Sequence, residues 1–159
     1  MNISIYFNKI KNLLKNNVIT TLLFFLLLVI LNGCFFNYLN SQFFKLNNNA
    51  FDSFTKQELF VVAVIIAPII ETLLFQFLLY NFLIFMKLKN VWQIIFIMSF
   101  IFSQVHWYNW LYVVATFFCA LFFNLYYIFI VRSKNKFLAI LMVTILHSLY
   151  NLFGFLFVE

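Results

Sequence analysis

Glu71 is the one carboxylate inside a long apolar run of this 159-residue chain, in Ala67–Pro68–Ile69–Ile70–Glu71–Thr72–Leu73–Leu74–Phe75–Gln76. Of the other three acids, Asp52 and Glu58 fall in a polar connection and Glu159 is the last residue. An ionisable group in hydrocarbon is costly and persists mainly where it pairs, relays protons or does chemistry. The chain has two histidines, His106 and His147, each in or at the edge of a different apolar run. Asn151 follows His147 by four positions and so shares its helix face; Phe102 stands in the same relation to His106. Thr72 adjoins Glu71, and Gln76, four residues beyond Thr72, can hydrogen-bond to it along the helix.

Taken singly, these residues have ordinary readings. His106, beside Trp107, Tyr108 and Trp110, fits an aromatic belt at a membrane interface. His147 and Asn151 fit hydrogen bonds between helices, and Glu71 fits a protonated structural acid. Together, one acid and both histidines from three separate runs are what a converging site requires. A carboxylate in low dielectric suits general-base work near neutral pH. Imidazole can stabilise an oxyanion, carry a proton or bind a metal. Glu71, His106 and His147 are also a donor set for a divalent metal ion such as zinc, with a fourth position left for water. Either arrangement activates water against a carbonyl, so the expected reaction is hydrolysis, with a peptide bond as its target.

The elements that would position these residues are membrane helices. The chain is 66% hydrophobic and 9% charged, against about half and a quarter in ordinary globular chains. Apolar runs of about 20 residues mark spans, and five are expected: Val18–Phe36, Leu59–Met86, Val91–Trp107, Trp110–Val131 and Phe137–Val158. The fold class is therefore all-α, a polytopic membrane bundle surrounded by lipid. The second run is long, and its Pro68, the only proline, predicts a kink with a freed carbonyl just before Glu71. The net charge of +6 does not point to nucleic acid, because the basic residues flank apolar runs and line no face.

Lys9, Lys11, Lys15, Lys87, Lys89, Arg132, Lys134 and Lys136 fall on one side of the spans. Only Lys45 and Lys56, accompanied by Asp52 and Glu58, fall on the other. The positive-inside rule puts the N-terminus in the cytoplasm, and a bacterial plasma membrane is the expected location. Leu31–Asn32–Gly33–Cys34 resembles a lipoprotein signal with a lipid-modified Cys34, but a retained first span is the expectation. Cys34 and Cys119 fall in different runs at different expected depths, so no disulfide is expected. An internal repeat is lacking and five spans do not halve, which argues against a proton-coupled transporter.

The residues also resemble a known family. Glu71–Thr72–Leu73–Leu74–Phe75–Gln76 is similar to the Glu-Glu-three-residues-Arg motif of the CPBP intramembrane proteases. These comprise the CAAX prenyl endopeptidases and the bacteriocin-processing or self-immunity (ABI) proteins. Phe102–Ser103–Gln104–Val105–His106 and His147–Ser148–Leu149–Tyr150–Asn151 match the second and third motifs in order and spacing. The resemblance implies a four-helix catalytic core within residues 58–159, after an N-terminal basic segment, first span and outer loop in residues 1–57. It implies an endopeptidase acting on a membrane-associated or lipidated peptide. In that reading Glu71 activates water, His106 assists, and His147 and Asn151 stabilise the oxyanion, with Thr72, Gln76 and Phe102 supporting.

The chain departs from the pattern at Thr72 and Gln76, which replace a Glu and an Arg one helical turn apart. Both have become neutral together, so no orphan charge remains. The alternative is a family member without activity, acting as an immunity or membrane interaction protein. Depth adds a tension. At about 1.5 Å per residue, Glu71 and His147 fall near mid-membrane and His106 near the outer end of a short span. The charge rule thus opens the site outward, whereas the resemblance implies cytosolic access.

Overall fold

The computed structural model describes residues 17–46 and 53–158. Lys9, Lys11 and Lys15 of the basic segment, the Asn47–Asn49 stretch, Asp52 and Glu159 lie outside the described residues. Among the described residues the chain is all-helical, with no strand. Helix α1 runs Val18–Leu39 and continues through a π-helical turn, Asn40–Phe44; α2 spans Lys56–Phe85, α3 Val91–Gln104, α4 Trp110–Ser133 and α5 Lys136–Phe157. Four of them are long and apolar enough to cross a membrane, and α3 is the shorter exception.

Polar residues between the apolar runs decide where the helices start. Asn17, Asn90, Asn109 and Asn135 each accept backbone N–H groups of the following first turn, at 2.8 Å for Asn109 and Asn135. At α2, Thr55 and Glu58 form a reciprocal capping box. Each such cap satisfies donors that hydrocarbon could not, and is worth about 1 kcal/mol even in water. Helix α2 ends where Lys87 takes a left-handed φ of 62°, with Leu88 N–H bonding the Leu83 carbonyl at 3.1 Å.

Helix α4 is the centre of the bundle and packs against α1, α3 and α5. Its Ala120, Phe123, Tyr126, Tyr127 and Ile130 join Val29 of α1, Met98 of α3 and Val143 and Leu146 of α5 in one fully buried core. The opposite faces carry exposed Phe, Leu and Ile from every helix, as a lipid-facing surface requires.

The kink expected at Pro68 takes the form of unwinding. Two π-helical stretches, Phe60–Ile66 and Thr72–Leu78, flank a single α-helical stretch, Ala67–Glu71. Ala67 N–H bonds the Val62 carbonyl, five residues back. In that pattern residue 68 would serve the Ala63 carbonyl, and proline has no N–H to give. The Ala63 carbonyl instead accepts Asn151 Nδ2 of α5 at 2.8 Å. The proline thus creates the acceptor that pins α5 to α2, one turn from His147.

Candidate active site

Three elements bring the acid and the two imidazoles together. Glu71 ends the α-helical stretch of α2, His106 follows the end of α3, and His147 lies midway along α5. Glu71 Oε2 stands 3.7 Å from His106 Nε2 and 3.8 Å from His147 Nε2. It is buried and has no hydrogen-bonding protein partner. The carboxylate side chain keeps 21% of its exposure and His106 13%, so the site is sheltered without being sealed.

The length of α3 explains how His106 reaches the others. Its 14 residues rise about 21 Å at 1.5 Å each, short of the roughly 30 Å of bilayer hydrocarbon. The helix therefore stops inside the bundle, and its last turn tightens as His106 N–H bonds the Ser103 carbonyl at 3.1 Å. Of the expected aromatic belt, Trp107, Tyr108 and Trp110 all stay exposed, with the Tyr108 ring 6.4 Å and the Tyr112 ring 6.0 Å from the His106 ring.

His106 Nδ1 lies 2.9 Å from the Phe102 carbonyl. A carbonyl can only accept, so Nδ1 carries the proton and the Nε2 lone pair faces the carboxylate. Two acceptors 3.7 Å apart do not bond one another, but one water can donate to both. Phe102 separates the two histidines: His106 stacks on it at 4.6 Å and the His147 ring lies 6.0 Å away. Phe123 covers the other ring at 4.7 Å. His147 Nδ1 is buried without a protein partner.

A metal needs a tighter arrangement. Two zinc ligands at about 2.0–2.1 Å in tetrahedral geometry stand only about 3.3 Å apart. Among the described residues no group of three His, Cys, Asp or Glu has metal-centre spacing. The donor types suit zinc, but the separations are open by about half an ångström on the same geometry.

Asn151 is near the trio but engaged, with Nδ2 on the Ala63 carbonyl; the second N–H of that amide is left for another acceptor. The bond expected between Thr72 and Gln76 does not form. Both are fully buried, and Thr72 Oγ1 has no hydrogen-bond partner. Gln76 turns away to Asn124, donating Nε2 to Oδ1 at 3.3 Å, and Asn124 Nδ2 donates to Ser99 Oγ at 2.9 Å. This chain crosses from α2 through α4 to α3, so the neutral substitute for the usual ion pair is spread over three helices. Sequence reasoning missed Asn124 and Ser99. The available signal was a lone amide within the apolar run of α4.

A family model described as type II CAAX prenyl endopeptidase Rce1-like matches residues 57–153. The match begins at the start of α2 and covers all three site-bearing segments. No curated protein and no solved structure matches the chain.

Proposed function

The chain belongs to the Rce1-like family of type II CAAX prenyl endopeptidases and is an integral membrane protein, and on that premise we propose that it hydrolyses a peptide bond in a membrane-associated or lipidated peptide. The observation that carries this reading is the Glu71 carboxylate oxygen within 3.8 Å of two imidazole nitrogens from two other elements.

Glu71 takes a proton from a water held between Oε2 and His106 Nε2, and the hydroxide so formed attacks the scissile carbonyl. The carbonyl electrons move to oxygen, and His147, with the free N–H of Asn151, donates to that oxyanion. The oxyanion then collapses to a carboxyl group, the C–N bond breaks, and Glu71 returns its proton to the leaving amine. The same three side chains would hold a divalent cation such as zinc after a small contraction, and such an ion would supply Lewis-acid polarisation of the water. The excess of basic residues between α2 and α3 and between α4 and α5 supports a reading in which that side faces the cytoplasm, with a bacterial plasma membrane as the proposed location.

A second reading rests on Thr72 and Gln76. With the usual charged pair gone, a member that holds a peptide without cleaving it, as an immunity or membrane interaction protein, is the alternative. Incubating purified protein with a prenylated Cys-aliphatic-aliphatic-X peptide in ¹⁸O-labelled water separates the two. The enzyme releases a shortened peptide with label in its new carboxyl group. Peptide that binds and stays intact leaves the interaction protein.

A further inference from the structure

At the end of the bundle away from the α1–α2 connection, a cavity of about 420 Å³ opens between α2, α3 and α4. Its wall is apolar, formed by Ile84 of α2, Val91 and Ile94 of α3 and Ile128 of α4, while Lys87, Lys89 and Arg132 stand at its rim. From this juxtaposition we propose that the cavity binds the phosphodiester headgroup of an anionic phospholipid.

Three observations converge on that ligand. First, among the described residues the cations have no acidic partner. The ion pairs among the described residues both involve Glu71, and Glu58 is held in its capping box at the opposite end of α2. Three like charges round one hollow repel one another, and an anion seated among them removes that repulsion. Nearby Lys136 is otherwise engaged, donating to Asn81 Oδ1 at 2.5 Å.

Second, the chain holds Lys87 in place at a conformational cost. Its left-handed φ of 62° is a conformation that glycine adopts more readily. The turn is fixed by Lys87 N–H on the Ile84 carbonyl at 2.9 Å and Leu88 N–H on the Leu83 carbonyl at 3.1 Å. Arg132, in the last turn of α4, offers a planar fork that matches two phosphate oxygens.

Third, the hollow adjoins surface suited to acyl chains. Phe85 and Met86, beside its wall, are exposed, as is Trp92 at the start of α3. A headgroup among the cations can therefore lay its tails along α2 and α3 in the lipid. That continuity favours a phospholipid over a free phosphate ion, which would leave the apolar wall unused.

The test is native mass spectrometry of the purified full chain in neutral detergent, titrated with phosphatidylglycerol or phosphatidylcholine. The proposal expects about tenfold tighter binding of phosphatidylglycerol, a difference of about 1.4 kcal/mol. Arg132→Gln and Lys87→Gln should each remove about fivefold or more of that preference. Lys134→Gln deletes one charge at the same end but outside the hollow, and should change it less than about twofold. Equal losses in all three variants, or no preference between the lipids, would overturn the proposal in favour of diffuse attraction. Displacement of phosphatidylglycerol by millimolar inorganic phosphate would overturn it in favour of a free-phosphate site. Each variant's unfolding temperature is measured alongside. If Arg132→Gln does not fold, Lys87→Gln at an exposed turn decides the matter.

Discussion

At the scale of single residues, the site depends on groups whose neutral partners replace charges. Gln76 is fully buried beside a neutral Thr72, so restoring only half of the usual pair strands a guanidinium. Gln76→Arg should destabilise the protein by about 3 kcal/mol, and Thr72→Glu added to it should recover much of that loss. Chemical unfolding in detergent micelles measures both, and a harmless single substitution would contradict the account. Asn151 gives a second test through Pro68. Asn151→Ala leaves the Ala63 carbonyl unpaired and should cost about 1–3 kcal/mol. In a Pro68→Ala background an N–H becomes available to that carbonyl, so the same substitution should cost clearly less. Additive losses in the double-mutant cycle would rule out the link between the proline and Asn151. Glu71, His106, His147 and Asn151 were legible in the sequence because few polar residues sit in apolar runs. Asn124 was not, since an isolated amide reads as glue until its partners are seen.

At the scale of elements, the spans were legible and their detailed shapes were not. Apolar length marks five helices, but it does not reveal that α2 is π-helical on both sides of the Ala67–Glu71 stretch. The winding before Pro68 follows from a proline acting together with a tertiary donor, Asn151 Nδ2 on the Ala63 carbonyl. Sequence counting also put His106 too far out, because it ran the third span to Trp107 whereas α3 ends at Gln104. Helix α1 precedes the family-matched region, yet it contacts the site-bearing α5 through a small residue. A Cβ on Gly33 would lie 2.8 Å from Tyr150 Oη, and Tyr150 sits between His147 and Asn151 in sequence. Gly33→Val should therefore lower stability by about 1–3 kcal/mol and reduce peptide cleavage, with Gly33→Ala milder because Tyr150 can shift its ring tip. Cleavage rates unchanged across both variants would show that α1 does not support the site.

At the scale of the molecule, the bundle surrounds a small polar centre with a large apolar exterior. Core packing on α4 fixes the relative positions of α2, α3 and α5, and the short α3 keeps one histidine inside the membrane. Convergence of residues 35 and 76 positions apart from Glu71 is a property of that packing. Three motifs in order hinted at it without supplying a distance. The central claim is that Glu71 activates an attacking water held between its own carboxylate and His106 Nε2. It is tested most directly by the kcat/KM of Glu71→Gln for a prenylated peptide, with its unfolding temperature checked against the parent. The carboxamide keeps the shape and loses the base, so a fall of roughly a thousandfold at unchanged stability is predicted. Cleavage within about twofold of the parent would contradict it, because a general base contributes at least a hundredfold.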